Sequence, residues 1–507
     1  MRQEDTSSES TEQSVVIDEP LRTGIRSTQR PTPNQRHKGG RTEPPTKAWR
    51  RWRAATTARH HPALRRNAEH VRRWLRVLGP GVITGAADDD PSGIGTYSQA
   101  GAGFGLSQLW LALYMLPMLI AVQEMCARIG LVTGQGIAAV VRAHYGRRLL
   151  MSVVLLVVVA NTLNIGADLG AMAATLQLFV PGVPFLPLVV VLSIGILALE
   201  ILVPYHRYVA ILKLLALSLL AYVATGIIVG GRPLALAQAT LTPSVQFTPA
   251  FLALIVGVLG TTISPYLFFW QASEEVEELN DQEASTTPPH TQRKSRKPSR
   301  RSLARMRDQL RSLRIDTTVG MIWSEVATWF IIFTTGSVLY THGVRTITSA
   351  NQAAAALEPL VQTFPHAGAL AKVIFAVGIF GVGLLGVPVL AGSAGYAVAE
   401  AFHWPEGLGK TARQARGFYG VIALATVIGM LLNLLQVNAM QALVYSAIIN
   451  GVVAVPLLIV ILLVANNRRI LGTATNGRLS NVVGIATAFA MGAAAVGMVI
   501  TFLLSGL

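Results

Sequence analysis

The sequence predicts an all-α integral membrane protein of about eleven transmembrane helices, arranged as two inverted five-helix repeats whose first helices are broken. Three observations carry this. Only 13% of the 507 residues are charged and 51% are hydrophobic, with a mean hydropathy of +0.48. Soluble domains average roughly 25% charged residues, so this chain has too few charges to cover a water-facing surface. The apolar residues fall in blocks of about 20, the length that crosses roughly 30 Å of hydrocarbon. Finally, the first and sixth blocks are interrupted in the same way.

The eleven blocks lie near 76–104, 106–129, 149–179, 184–204, 207–230, 249–273, 317–340, 367–402, 417–436, 439–465 and 481–505. The organisation expected from them is a basic, disordered cytoplasmic tail over 1–75 and a first repeat over 76–230. A second repeat follows over 231–465, with a cytoplasmic loop at 274–314, and a connector with the last helix closes the chain at 466–507. Basic segments fall on every second connection: the tail, Arg142 to Arg148, His206-Arg207, Arg293 to Arg314, Lys410 to Arg416 and Arg468-Arg469. By the positive-inside rule the N-terminus is then cytoplasmic, and the expected location is the plasma membrane. The formal charge of +16 borders apolar spans, so it reads as topology and contact with anionic lipid rather than nucleic-acid binding. The first 48 residues lack the apolar region of a signal peptide. The one cysteine, Cys126, excludes an internal disulfide. The loop at 274–314, acidic and then basic, reads as a solvated cytoplasmic loop, with ion sensing as the sharper alternative.

The breaks are the informative feature. The first span reads GPGVITGAADDDPSGIGTYSQAGAGFG and places Asp88, Asp89 and Asp90, then Pro91, Ser92 and Gly93, where a simple span is most apolar. An ionised carboxylate near the bilayer centre costs at least about 2.5–3.5 kcal/mol, and proline removes a backbone donor. Such backbone survives only where it lines a protein-enclosed or watery cavity. The sixth span, GVLGTTISPYLFFWQAS, repeats the pattern with Gly260, Ser264 and Pro265. The first break opens a group of five helices and the second opens the next group, and an odd number per group inverts the second relative to the first. Paired broken helices in inverted halves point to a transporter's substrate site. Freed carbonyls around Ser264 and Asp90, with the Asp90 carboxylate, make an all-oxygen set suited to a hard cation. Asp88 and Asp89 are candidates for the permeation path, and Gln99 and Tyr97 follow the break closely enough to reach a hydrated ion. Asp168 is an intramembrane acid and a functional candidate by default, or part of a buried polar network. Glu124 and Arg128 stand four apart, on one helix face, and pair there or act in gating. Glu325 and Glu400 are weaker candidates that read as structural or interfacial, and Asn161 and Asn164 read as helix–helix hydrogen-bonding groups, with lining of the path as the alternative. No Walker A loop, HExxH or nucleophile elbow is present. The chain therefore reads as no enzyme, without a cofactor and without ATP drive.

DPSGIGTYSQAGAGFG in the first span resembles the first helix of the Nramp family of divalent metal transporters. LWLALYMLPMLIAVQEMCARIGLVTGQG is similar to its second helix, and NIGADLGA, TTISPYLFFWQ and LLVANNRRILG resemble parts of its third, sixth and tenth. The resemblance covers about residues 76–470. It implies the inverted-repeat fold of sodium-coupled amino-acid symporters, working by alternating access. The family's binding aspartate falls on Asp90, its asparagine on Gly93, its methionine on Ser264 and the small residue a turn earlier on Thr261. The resemblance therefore implies a metal site of Asp90, Gly93, Thr261 and Ser264. The family's histidines fall on Tyr266 and Gln271, its third-helix aspartate on Asp168, a further acid on Ala171 and its tenth-helix glutamine on Ala447.

These departures share a direction. Losing a thioether removes discrimination against hard ions, and glycine at Gly93 enlarges the cavity for an ion that keeps its waters, as Mg²⁺ does. The pattern is most like the Nramp-related magnesium transporters. Transport of Mg²⁺, with Mn²⁺ as a second cargo and weak or no proton coupling, is the expectation. The alternatives are a proton-coupled Mn²⁺ or Fe²⁺ importer, an organic-solute symporter, and a metal-gated channel or sensor. The triple aspartate disfavours the solute symporter by repelling an anionic carboxylate.

Overall fold

The computed structural model describes residues 80–203, 217–286 and 300–506; the expected tail over 1–75 lies outside them. The first span is two half-helices, α1 (Pro80–Asp88) and α2 (Pro91–Phe104), followed by α3 (Trp110–Thr133) and the short α4 (Ile137–His144). Then come α5 (Arg147–Leu176), α6 (Phe185–Leu202), α7 (Leu220–Val229) and α8 (Pro233–Leu241). The sixth span is again split, into α9 (Pro249–Thr262) and α10 (Pro265–Thr286). After it run α11 (Arg300–Thr335), α12 (Ala350–Ala355), α13 (Glu358–Val361) and α14 (Ala367–Phe402). The chain ends with α15 (Arg416–Leu432), α16 (Ala439–Ala465), α17 (Arg468–Leu471) and α18 (Arg478–Leu504).

Among the described residues, nine helices are long and apolar enough to cross a membrane, the α9–α10 pair counting as one. The broken first span, and the fifth span, described only from Leu217, bring the set to the expected eleven. Burial separates centre from rim. The α9–α10 span is 94% buried and α18 only 17%, so α18 presents Leu479, Phe489 and Leu504 outward as lipid-facing apolar surface.

Local chemistry explains the starts. Helices α2, α9 and α10 each begin with proline at the first position, preceded by Asp90, Thr248 and Ser264. Proline is pre-set for that position because its missing N–H would be unsatisfied there anyway. Close packing positions the first break. A methyl built on Gly81 would sit 2.6 Å from the Thr317 backbone nitrogen, and one on Gly85 would collide with the backbone of Gly320. The Gly-x-x-x-Gly run therefore brings α1 against α11 backbone to backbone.

The expected loop over 274–314 is a correction. Helix α10 continues to Thr286 and α11 starts at Arg300, so only 287–299 stays outside the described elements. Runs of Glu, Gln, Leu, Ala and Arg are good helix formers, and charge density alone does not melt them. Nor is the acidic half simply solvated. Glu275 is buried, and Glu277 accepts from the Leu408 backbone N–H at 2.7 Å and from the Tyr396 hydroxyl, tying α10 to the turn after α14. In that turn, burial first and then the nearby Glu400 charge push the Glu406 carboxyl up to about 8, against a lowering pull from Lys410.

Candidate metal centre at the paired helix breaks

At the first break Asp90 leaves the helical region (φ −65°, ψ 174°) and caps α2. One carboxylate oxygen accepts from the Gly93 backbone N–H at 2.8 Å and from the Ser92 hydroxyl at 2.7 Å. The other accepts from the Asn164 amide at 2.8 Å, reaching over from α5. An aspartate followed by proline is the residue pair that starts a helix, and the positive end of α2 favours the negative charge there. The same local rule thus breaks the span and fixes the carboxylate. Asp90 is 1% exposed, and Asp88, Asp89 and Asp168 are fully buried, so the centre is occluded from solvent.

Across from Asp90 the Thr261 hydroxyl lies 3.1 Å from that of Ser92. Gly93 faces the same gap, but a methyl there would meet the Tyr97 ring at 3.2 Å and Thr261 Oγ1 at 3.4 Å. The room expected from glycine is therefore taken up by Tyr97 and Thr261 in this closed arrangement. Tyr97 is held by a 2.8 Å bond between its hydroxyl and that of Thr262.

The second break runs through Ile263 and Ser264. The Ser264 hydroxyl turns back to the Gly260 carbonyl at 2.8 Å and the Thr261 carbonyl. Its side chain is thus occupied within its own helix end rather than offered to Asp90. Tyr266 instead crosses to the first break, donating to the Ala87 carbonyl at 2.8 Å. That carbonyl belongs to the last turn of α1, where backbone acceptors lack helical partners. Gln271 bonds Thr84 on α1 and donates to Glu275 at 3.1 Å. Tyr266 and Gln271 therefore stitch the two broken helices together.

Asp168 joins the centre through Asn164. The Asn164 amide donates to Asp90 at 2.8 Å and to Asp168 at 3.2 Å, while its oxygen accepts from Asn450 on α16 at 3.0 Å. The second Asp168 oxygen has no partner. Asn450 is the residue sequence reasoning missed here, and its bond to Asn164 is a helix–helix hydrogen bond of the kind expected of that asparagine. The signal was present for Asn164, which precedes Asp168 by four residues and shares its helix face. Helix α14 passes so close that a methyl on Gly386 would sit 2.9 Å from the Asp90 β-carbon.

Asp90, Gly93, Thr261, Tyr266 and, through Asn164, Asp168 are thus gathered. Two expected path residues are engaged elsewhere. Gln99 donates to the Arg345 carbonyl at 2.9 Å and accepts from the Ile347 N–H at 2.8 Å, fastening the segment after α11. Glu124 pairs with Arg128 at 3.4 Å and with Arg314 at 2.9 Å. Glu400 accepts from Ser273 at 2.7 Å and from the Ala139 N–H at 3.0 Å, holding the start of α4.

The groups around the Asp90 carboxylate are the Ser92 and Thr261 hydroxyls, the Asn164 amide N–H and the Gly93 backbone N–H, so its own oxygens and the two hydroxyls are the ligands it can offer. Such a set suits a hard cation. Among the described residues no three His, Cys, Asp or Glu side chains converge tightly enough to grip a bare ion.

The family model for natural resistance-associated macrophage protein-like (Nramp) proteins matches residues 81–501. The divalent metal cation transporter MntH of Verminephrobacter eiseniae is 30% identical over 224 residues, 43% of this chain and 50% of that protein. The protein of the same name from Pectobacterium carotovorum is 25% identical over 412 residues, 80% of this chain and 89% of that protein. The chain thus spans about half the length of the first relative and most of the second. The crystal structure of an Eremococcus coleocola manganese transporter, in complex with an aromatic bis-isothiourea compound, is 18% identical. It superposes with a TM-score of 0.63 over 84% of this chain and 87% of that one. At that identity the likeness carries the fold.

Proposed function

The chain belongs to the Nramp family, and from that premise we propose that it carries divalent metal cations across the plasma membrane by alternating access. Mg²⁺ is the main cargo, Mn²⁺ a second one, and proton coupling is weak or absent. The observation that carries this reading is the Asp90 carboxylate, buried at the first break beside the Ser92 and Thr261 hydroxyls. With Ser264 standing where a thioether would discriminate against hard ions, carboxylate and hydroxyl oxygens give no soft ligand with which to reject an alkaline-earth ion. The metal is held by Asp90 and Thr261, with Gly93 beside them and the backbone at Ser264 lining the far side. Asp88, Asp89 and Asp168 add negative potential along the path. Tyr266 and Gln271 spend their polar groups joining the breaks, which supports weak proton coupling. The alternation of basic segments supports a cytoplasmic N-terminus.

A second reading, proton-coupled Mn²⁺ import, is favoured by the names of the relatives, which are a manganese transporter and divalent metal cation transporters. Uptake into proteoliposomes separates the two. Mg²⁺- and Mn²⁺-sensitive dyes would be read together with internal pH, for wild type and Asp90→Asn. Saturable Mg²⁺ entry, lost in the variant and without acidification, is expected. Entry of Mn²⁺ alone, with acidification, would establish the second reading instead.

A further inference from the structure

The face of α2 that leads away from Asp90 runs into a constriction. Ile94, Gly95, Ser98 and Gln99 line a cavity of only about 10 Å³, walled on its other sides by residues that include Ile347, Met440 and Leu443. That is room for about one water molecule, so an ion that keeps its hydration shell cannot pass. The contact is tightest where α2 crosses α16, since a methyl on Gly95 would sit 2.6 Å from the Leu443 Cδ1. Beyond it lies a far larger cavity of about 720 Å³, lined in part by Gln177, Asn433 and Gln436, and Met440 belongs to its wall as well. A wide cavity and a closed pinch therefore meet at one methionine.

The segment between α11 and α12 crosses this point as a strap, and Ile347 is its buried residue in the pinch. Gln99 holds the strap from α2, donating to the Arg345 carbonyl at 2.9 Å and accepting from the Ile347 N–H at 2.8 Å. Asn438 holds it from α16, where its amide donates to the Thr348 carbonyl at 2.8 Å. The Asn438 side-chain oxygen meanwhile accepts from the Met440 and Gln441 N–H groups at 3.0 and 3.2 Å. It thus caps the helix that carries Met440 and Leu443, and one residue links the strap to the turn that forms the pinch. The Arg345 guanidinium stands 3.6 Å over the centroid of the Tyr340 ring and anchors the near end. Ile347, Met440 and Leu443 make the constriction apolar, and such a constriction blocks ions by excluding water until it widens. We propose that the strap over 345–348 is a lid on the path that leads from Asp90 along α2. Gln99 and Asn438 latch it shut, and their release lets Ile347 and Met440 part so that the large cavity joins the centre. The lid's purpose rests on the transport reading; the latch itself is read from the geometry.

Thiol accessibility of the full chain in lipid nanodiscs tests this, because the native Cys126 is buried and leaves the background low. The probe is a cationic methanethiosulfonate reagent. Ser98→Cys reports the pinch, and Asn351→Cys, exposed in the large cavity, reports general loosening. Adding Gln99→Ala should speed labelling of Ser98→Cys about eightfold, the population shift that two hydrogen bonds of ordinary membrane-helix strength maintain. Labelling of Asn351→Cys should stay within about twofold. Asn438→Ser is the milder variant, since serine still caps the helix while the bond to Thr348 is lost; about a threefold rise at Ser98→Cys is expected. Elution profile and melting temperature check that each variant folds. Equal rates at Ser98→Cys with and without Gln99→Ala would overturn the latch, and so would a parallel rise at Asn351→Cys. In proteoliposomes, labelled Ser98→Cys should lose Mg²⁺ and Mn²⁺ entry, and undiminished entry would show that the path does not pass the pinch. Absence of entry before labelling would count against the transport reading instead, with the labelling rates still deciding the latch.

Discussion

Replacing Asn164 with alanine is the most informative single change, because this amide is the common partner of Asp90, Asp168 and Asn450. Hydrogen bonds between membrane helices are worth about 0.6 kcal/mol on average and up to about 1.7. Two of the three bonds cross between helices, so their loss lowers stability by ~1 kcal/mol, and by no more than about 3.5. Two of the partners are carboxylates, which places the loss in the upper part of that range. The functional effect is larger. Asn164 aims one Asp90 oxygen without touching the gap itself, and removing a group that orients a metal ligand typically weakens affinity about 10–100-fold. Titration calorimetry with Mn²⁺ and Mg²⁺ on the purified protein reads the affinity, and thermal unfolding without metal reads the stability. Asn161→Ala is the control. Its amide donates only to the Leu390 carbonyl at 2.9 Å, so it should lower the melting temperature and leave metal affinity within twofold. Equal affinities for wild type and Asn164→Ala would show that Asn164 merely packs α5 and does not set the ligand.

Three other changes probe separate links. Gly386→Ala puts a methyl 2.9 Å from the Asp90 β-carbon; overpacking of this kind costs about 1–3 kcal/mol and should lower both melting temperature and metal affinity. Tyr266→Phe removes the bond to the Ala87 carbonyl, and about 1 kcal/mol of stability should go with it; an unchanged melting temperature would mean that the breaks are joined by packing alone. Glu406 has a carboxyl pushed up to about 8 from an ordinary value of 4.5. Its folded form prefers the proton, so its contribution is full below pH 4.5 and is lost as pH rises through 8. Glu406→Gln should match wild type at pH 4 and melt higher at pH 9, and parallel pH profiles for the two would refute this.

The breaks were legible because their causes are local. Asp90-Pro91 and Ser264-Pro265 start helices wherever they stand, and an apolar span makes them conspicuous. The oxygen character of the centre followed from the same residues. The tertiary partners were not legible, since they depend on which faces meet. Gln99 and Glu124 are polar groups in apolar spans, as Asp168 is, yet one clamps the segment after α11 and the other pairs with Arg128 and Arg314. Composition gives the same default reading to all three. Asn164 was legible as a helix–helix bonding group but not its partners, because a lone amide on a hydrophobic helix gains its meaning from the neighbour it crosses. Gly81 and Gly85 likewise let α1 lie directly on α11, a crossing composition does not announce. The loop over 274–314 was misread because charge was taken as solvation. Yet Glu277 is spent on the turn after α14, and a carboxylate placed to bind backbone N–H groups orders a segment as firmly as an apolar contact does. Polar residues in this chain are therefore informative in proportion to what they leave unsatisfied. Those with full sets of partners, such as Gln99 and Gln271, hold the frame. Asp168, left with a bare oxygen beside the Asp90 network, is the candidate that the frame does not account for.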